Sequence, residues 1–409
     1  MTDAAMSDPR LRHGRAALTF SFFVQGVAFA LLVTRIPAVQ DRYGISDGLL
    51  PAFLAGVPIL AGVGSVATEH LVKRVAPSVA LRWVQPLVML ALLGVAAGDR
   101  LGQAAVSFAM FGLAIGGLDA SMNMLGVSLQ HAYGRSIILG FHASFSLGGI
   151  VGSSLAWSGA HWHLSLLTLY LPVVVVLVPL CLVGSRWYVD APRGGQQVPT
   201  EAALTGDERR PVVFRLLLPL CLVMAFAYIG ESTVANWSAK YLQDVLGSSE
   251  QLSTVPYNVY VVSALLGRTV GDRVVRRFGP VTVVRAGSVL AGAGFAILAV
   301  APGPWVGMLG LPLLGFGLCV IVPQTFAAAG RLFPGSSDGA IARINIFNYV
   351  GYLVGAPLVG GLGEAWTYRG AMLVPMVLVL LTLLYAPSFG AEGARYGGGH
   401  ERPHTVDVG

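Results

Sequence analysis

Gly267-Arg-Thr-Val-Gly-Asp272-Arg273-Val-Val-Arg276-Arg277-Phe-Gly279 joins two long apolar runs, and Gly64 to Arg74 is an earlier, weaker copy of it. In the copy Glu69 stands at the position of Asp272, His70 at that of Arg273, and Lys73-Arg74 at that of Arg276-Arg277. The offset is 203 residues, and it extends well beyond this stretch: Gln40-Asp41 fall on Gln243-Asp244, Gly44 on Gly247, Ser46 on Ser249, Gly64 on Gly267, Gly112 on Gly315, Gly148 on Gly351 and Gly152 on Gly355. Glycine matches come cheaply in a chain with 52 of them, but the charged matches sit at equivalent places and no gap is needed between residues 40 and 152. The chain is a tandem duplication.

Each repeat holds six apolar segments. They fall near 16–39, 48–70, 79–98, 101–127, 136–157 and 163–184, then near 212–237, 251–271, 281–301, 304–329, 340–362 and 367–388. Of the 409 residues, 55% are hydrophobic and only 11% charged, with a mean hydropathy of +0.70. Soluble domains carry roughly 25% charged residues, so a soluble protein is excluded along with collagen-like, disulfide-scaffold and disordered classes. Continuous runs of about 20 residues suit membrane helices, which satisfy their own backbone hydrogen bonds in lipid; a barrel would show short alternating segments. The fold class expected is an all-α membrane protein with twelve transmembrane helices in two pseudo-symmetric six-helix bundles.

The expected boundaries are an N-terminal segment 1–15, a first bundle 16–184, a hydrophilic linker 185–211, a second bundle 212–388 and a disordered tail 389–409. Six spans is an even number, so both repeats enter from the same side and relate by an axis along the membrane normal, with a substrate site between them near mid-depth. Counting Lys and Arg on alternate sides gives 21 against 5, the poorer side holding Arg35, Arg42, Arg100, Lys240 and Arg369. The positive-inside rule then puts both termini and the linker in the cytoplasm. The same asymmetry accounts for the net charge of +6 without a nucleic-acid surface. Cys181, Cys221 and Cys319 lie in apolar runs and read as core residues, with no metal spacing.

The Gly267 to Gly279 stretch resembles the loop signature of the major facilitator superfamily, expected here as a cytoplasmic gate built from Gly64, Glu69, Lys73, Arg74, Gly267, Asp272, Arg273, Arg276 and Arg277. Thr34-Arg35-Ile36-Pro37, Gly117-Leu-Asp119-Ala-Ser-Met-Asn123, Phe141-His142-Ala-Ser-Phe-Ser-Leu-Gly-Gly149 and Asn236-Trp237-Ser-Ala-Lys-Tyr241-Leu are similar to bacterial inner-membrane members near the fucose permease branch. The resemblance covers all twelve segments. It implies a monomeric secondary transporter of a small solute working by alternating access, and it implies proton coupling at the fourth-span acid, Asp119. The family's first-span acid has no counterpart, since that span offers only Gln25. Cargo is expected to be a sugar or another polar metabolite; export of a hydrophobic compound in exchange for protons is the alternative, and a non-transporting receptor or lipid-handling protein the alternative of another class.

Ionisable groups at mid-membrane cost about 2.5–3.5 kcal/mol on insertion scales, so the few present need a reason. Asp119, Glu231 and His142 are the proton-coupling candidates. Asp119 shares a stripe with Gly112, Gly116 and Asn123, a small and polar face able to line a cavity; the other reading is a structural hydrogen bond to a neighbouring helix. Glu231 either binds substrate and exchanges protons or pairs with an outer cation such as Arg35. Arg35 reads as an outer gate or anchor, with Pro37 ending its helix. His142 lies 203 residues before Asn345, at the same depth, and either titrates or is a satisfied neutral histidine. Asn345, Asn348 and Tyr352 form a polar stripe suited to cargo or to helix association. Gln25, Asn123, Tyr228 and Trp237 complete the cavity candidates.

Gly351 to Gly361 is reminiscent of a drug/proton antiporter motif but lies in the wrong span, and reads as helix packing. No nucleotide loop, catalytic constellation or cofactor motif accompanies these groups, so neither an enzyme nor ATP drive is expected.

Overall fold

The computed structural model describes residues 8–46, 49–190, 206–253, 255–333 and 337–390. Among these residues there is helix and turn but no strand. Twelve long helices follow in order: α1 (Pro9–Thr34), α2 (Leu50–Leu71), α3 (Pro77–Ala97), α4 (Leu101–Tyr133), α5 (Ile138–His161) and α6 (Leu166–Gly184), then α7 (Gly206–Lys240), α8 (Pro256–Phe278), α9 (Pro280–Val300), α10 (Pro304–Leu332, broken by a turn at 319–320), α11 (Ser337–Ala365) and α12 (Tyr368–Gly390). This is the twelve-helix fold the hydropathy pattern predicts.

Several ends differ from expectation, each for a local reason. α1 starts at Pro9, because the Asp8 carboxylate caps it and proline suits a first turn. It ends at Thr34, and a short helix (Ile36–Tyr43) then opens with Pro37 in its first turn. The motif that opens the sequence reading is helix rather than loop: Gly267 to Phe278 forms the last three turns of α8, and the chain leaves at Gly279, with φ +79°. Residues 185–190 of the expected linker are tied to the first bundle. Asp190 accepts from the Ser78 amide and hydroxyl at the start of α3, and the Tyr188 hydroxyl bonds Ser21 and Gln85. Residues 206–211 already belong to α7. Residues 191–205 and the expected tail beyond 390 lie outside the described residues.

The duplication is visible in the packing. α1 runs along α5 as α7 runs along α11, α2 along α4 as α8 along α10, and α3 against α4 and α6 as α9 against α10 and α12. Across the two sets α2 meets α11 and α8 meets α5, the same pair under the repeat. Gly44 and Gly247, 203 apart, both terminate an outer turn at positive φ, +61° and +71°, a conformation open to glycine at no cost. Glycines also set the tightest crossings. A Cβ on Gly148 would sit 2.0 Å from the Phe23 carbonyl oxygen, and its equivalent Gly351 faces the Ala225 carbonyl at 2.5 Å. The three cysteines are free and buried.

Gly148→Val is therefore expected to force α1 and α5 apart at a cost of about 1–3 kcal/mol or more, the range for overpacking. Gly102→Ala, where a Cβ meets nothing within 4 Å, is expected to be neutral or slightly stabilising. Thermal unfolding of the two purified variants checks the contrast.

Candidate functional site

The two six-helix sets are fastened from mid-depth to the face where α1 begins and α12 ends, here called the terminal face. At that face Asp272, near the end of α8, accepts from the Ser136 hydroxyl at 2.7 Å and from the Leu139 and Gly140 amides at 3.3 and 2.9 Å. Those amides belong to the first turn of α5, whose own N-cap residue, Ile137, offers no side-chain acceptor. Asp272 is thus the cap of a helix in the other half, where amides orphaned by helix geometry meet a negative charge. Arg276 donates to the Ser136 carbonyl at 2.6 Å.

The equivalent acid, Glu69 of α2, is served differently. Its Oε1 takes two donors from Arg343 of α11, at 3.1 and 2.9 Å. Lys73, Arg74, Arg273 and Arg277 are exposed, Arg277 lying over the Phe278 ring. Gly64 and Gly267 face backbone or side-chain atoms of α4 and α10 within 2.6 Å of a notional Cβ, which is how α2 and α8 seat against their neighbours.

At mid-depth two further ties cross between the halves, and one residue of each, Tyr349 and Ser146, occupies the same place in the repeat. The Asp119 carboxylate of α4 accepts from the Gln25 amide of α1 on one oxygen and from the Tyr349 hydroxyl of α11 on the other. Arg268 of α8 donates to the Ser146 hydroxyl of α5 and reaches Glu231 of α7 at 3.5 Å. Ser146 and Tyr349 are 203 residues apart, as are Ser65 and Arg268; Ser65 bonds the Ala342 carbonyl and Asn345 of α11. The first pair carries a hydroxyl in both halves, the second a hydroxyl in one half and a guanidinium in the other.

The structure assembles many of the expected residues and separates others. Asp119, Gln25 and Asn123 come together, Asn123 donating to the Asp119 carbonyl at 2.9 Å. The glycine half of their stripe does not line a cavity: Gly112 and Gly116 press on the Val57 and Ala61 backbone of α2. Glu231 pairs with Arg268 and not with Arg35, which bonds the Leu164 carbonyl at 3.4 Å after capping α1. Tyr228 lies within electrostatic reach of both Glu231 and Asp119. His142 packs against Phe22 and Phe326, and its Nε2 is buried without a hydrogen-bond partner. Asn345 and Asn348 bond one another at 3.2 Å and, through Ser65, the opposite half; this is the helix-association arrangement.

Tyr352 offers its carbonyl to Ser232, and Trp237 spends its indole N–H on the Ala356 carbonyl while its ring leans on Tyr368, so Trp237 is a wedge between α7 and α11. Arg268, Ser146, Tyr349 and Arg343 escaped the sequence reading. The offset of 203 that pairs Ser146 with Tyr349 was the one signal available for two of them. Among the described residues no group of His, Cys, Asp and Glu is clustered to hold a metal.

Comparison with known proteins places these features. A family model described as Major Facilitator Superfamily matches residues 220–396. An uncharacterised transporter of that type from Yersinia pestis is 29% identical over 84% of this chain and 87% of its own length. The membrane protein MosC of Rhizobium meliloti is 26% identical over 85% and 83%. Among solved structures, FucP in its outward conformation superimposes with a TM-score of 0.76 at 17% identity, covering 94% of this chain and 99% of that one. The proton:xylose symporter XylE gives 0.75 at 14%, over 96% and 97%. The fold is that of a major facilitator transporter. The chain is similar to major facilitator transporters in sequence and shares their fold, and its long apolar helices are those of a multi-pass membrane protein.

The terminal-face contacts carry a testable asymmetry. Asp272→Ala removes a cap from two amides of α5, an effect of about 0.5–2 kcal/mol for helix caps in general, whereas Glu69→Gln leaves a neutral acceptor for Arg343. Hydrogen exchange in the first turns of α5 and α11 is expected to rise more for Asp272→Ala than for Glu69→Gln.

Proposed function

We propose that the chain is a proton-coupled secondary transporter of a small polar solute, alternating between states open to either side, with its termini and its 191–205 linker in the cytoplasm of a bacterial inner membrane. The domain division expected from sequence serves this reading: two six-helix units rocking about a site between them. The orientation rests on the 21:5 distribution of Lys and Arg. The conformation described is then the one closed toward the cytoplasm, since the ties run from Asp119 and Arg268 at mid-depth to Asp272 and Glu69 at that face.

The observation that carries the reading is the double tie at Asp119. Charged, its carboxylate accepts from Gln25 in its own half and from Tyr349 in the other, and charge-assisted bonds are roughly twice as strong as neutral ones. Protonated, it keeps one strong acceptor at most, and the α4–α11 tie slackens. One proton thereby changes the energy of the contact that must break when the cleft opens toward the terminal face. His142 and Glu231 border the same region; Tyr228, Tyr352, Asn123 and Gln25 serve as cavity walls. Arg35 anchors the outer end of α1. A single chain contains every element used, so a monomer suffices.

The test is reconstitution into vesicles enclosing a pH dye, with sugars, amino acids, nucleosides and lipophilic cations added one at a time. Acidification with one polar solute is expected. Alkalinisation with lipophilic cations would instead identify a proton-exchanging exporter, and lipid translocation without soluble cargo a lipid-handling protein.

A further inference from the structure

Arg268 has more donors than acceptors. Nη1 serves Ser146, Nη2 reaches Glu231 only at 3.5 Å, the outer limit of a hydrogen bond, and Nε is buried with no acceptor at all. A carboxylate well matched to a guanidinium takes two parallel bonds near 2.7–2.9 Å. Glu231 stays close by Coulomb attraction yet leaves that fork open. His142, from α5, adds a second unused nitrogen within electrostatic reach of Arg268. The pair is not sealed: the Arg268 and Glu231 side chains keep 12% and 20% exposure.

The other groups facing Glu231 are polar but uncharged near neutrality. Tyr257 and Tyr260 come from α8, Tyr228 from α7 and Tyr352 from α11, and Cys319 of α10 lies near both members of the pair. Tyr228 lies within electrostatic reach of Asp119 as well as of Glu231. The site therefore holds one cation, one loosely held carboxylate and a wall of hydroxyls.

We infer that Arg268 is the anchor for a carboxylate carried by the solute, which displaces Glu231 from the guanidinium while Glu231 takes up one proton from water. The charge balances. Before binding the site holds one positive and one negative charge; afterwards it holds the guanidinium, the solute's carboxylate and a neutral Glu231. No charge is left uncompensated at mid-membrane, where it would be costly. A neutral solute would leave Nε unserved and Glu231 in place. The cargo class is a small hydroxylated organic anion, its carboxylate on Arg268 and its hydroxyls on the tyrosines. This rests on the transporter reading above and names its cargo.

Titration calorimetry on the purified full-length chain at pH 7 tests it, in two buffers of different ionisation enthalpy. The probes are D-glucuronate, L-lactate and benzoate, each against its amide: glucuronamide, lactamide and benzamide. At least one carboxylate is expected to bind roughly tenfold or more tightly than its amide, with uptake of about one proton per ligand by linkage. Glu231→Gln is expected to bind the anion without that proton, and Arg268→Lys, which keeps the charge but not the fork, to bind roughly tenfold more weakly.

Equal binding of acid and amide overturns the inference, as does carboxylate binding without proton uptake, uptake that survives Glu231→Gln, or binding of none of the three acids. Neutral solutes carried uphill while carboxylates are ignored would sink this inference and leave the transporter reading standing. Carboxylates bound by Arg268 but never carried in vesicles would do the reverse.

Discussion

Arg268→Gln is expected to destabilise the protein by about 3–5 kcal/mol, the range for removing one partner of a buried ion pair. The loss of attraction is the smaller part of the reason. Glu231 sits among apolar and tyrosyl neighbours with Arg268 as its cation, and once the guanidinium is gone it must either hold an uncompensated charge in low dielectric or take up a proton, each at a cost. The tie to Ser146 across the halves goes as well. The double variant Arg268→Gln/Glu231→Gln is expected to regain most of the stability, because two amides can bond each other and no lone charge remains. Unfolding midpoints of the single and double variants in one detergent decide this. A double variant no more stable than Arg268→Gln would mean that the two charges are not coupled. Transport is expected to be absent in both, since the fold survives the exchange and the site does not.

Asp119→Asn is expected to lower solute accumulation driven by a pH gradient steeply, to what the proton on Glu231 alone supports, while solute exchange across an equal gradient continues. Asparagine keeps the shape of the side chain and one acceptor oxygen. Its amide group faces either Gln25 or Tyr349, and the tyrosine hydroxyl can turn to accept from it, so the α1–α4–α11 junction survives. What is lost is the change of charge. Accumulation is expected to fall at least roughly tenfold, as losses of about 1.4 kcal/mol or more of coupling imply, with counterflow within about twofold of the natural protein. Tyr349→Phe is the complement: it removes the tie but keeps the titrating group, so gradient drive is expected to persist with altered pH dependence. Equal accumulation by Asp119→Asn and the natural protein would exclude Asp119 as the coupling group.

The helices, their number and the duplication were legible because each rests on a local rule: twenty apolar residues make a span, and a constant offset makes a repeat. The candidate site was legible only on one side of each contact. Asp119 and Glu231 stand out as acids in apolar runs, but their partners do not. Arg268 lies in a motif crowded with arginines, and only the depth of α8 in the bundle separates it from Arg273, Arg276 and Arg277, which are exposed. Tyr349 lies one residue from Asn348 on α11, and choosing the Asn345–Asn348–Tyr352 stripe passes over it. Which flank of a helix meets the other half depends on the relative rotation of two bundles, and no periodicity within one helix records that. Trp237 erred in the other direction. An indole near a span end resembles a cargo platform, yet its N–H is already spent on the Ala356 carbonyl.

The two terminal-face acids also differ in how they constrain the chain's descent. Asp272 binds two main-chain amides, which every residue except proline supplies, and only one side chain, the Ser136 hydroxyl, so most of that contact survives a change of side chain opposite it. Glu69 depends on the Arg343 side chain for both of its bonds, so a change at either position acts directly on the other. After the ancestral half was copied, one latch became tolerant of drift in its partner and the other became a linked pair. Among relatives, residues 69 and 343 should therefore change together more often than residue 272 changes with those opposite it.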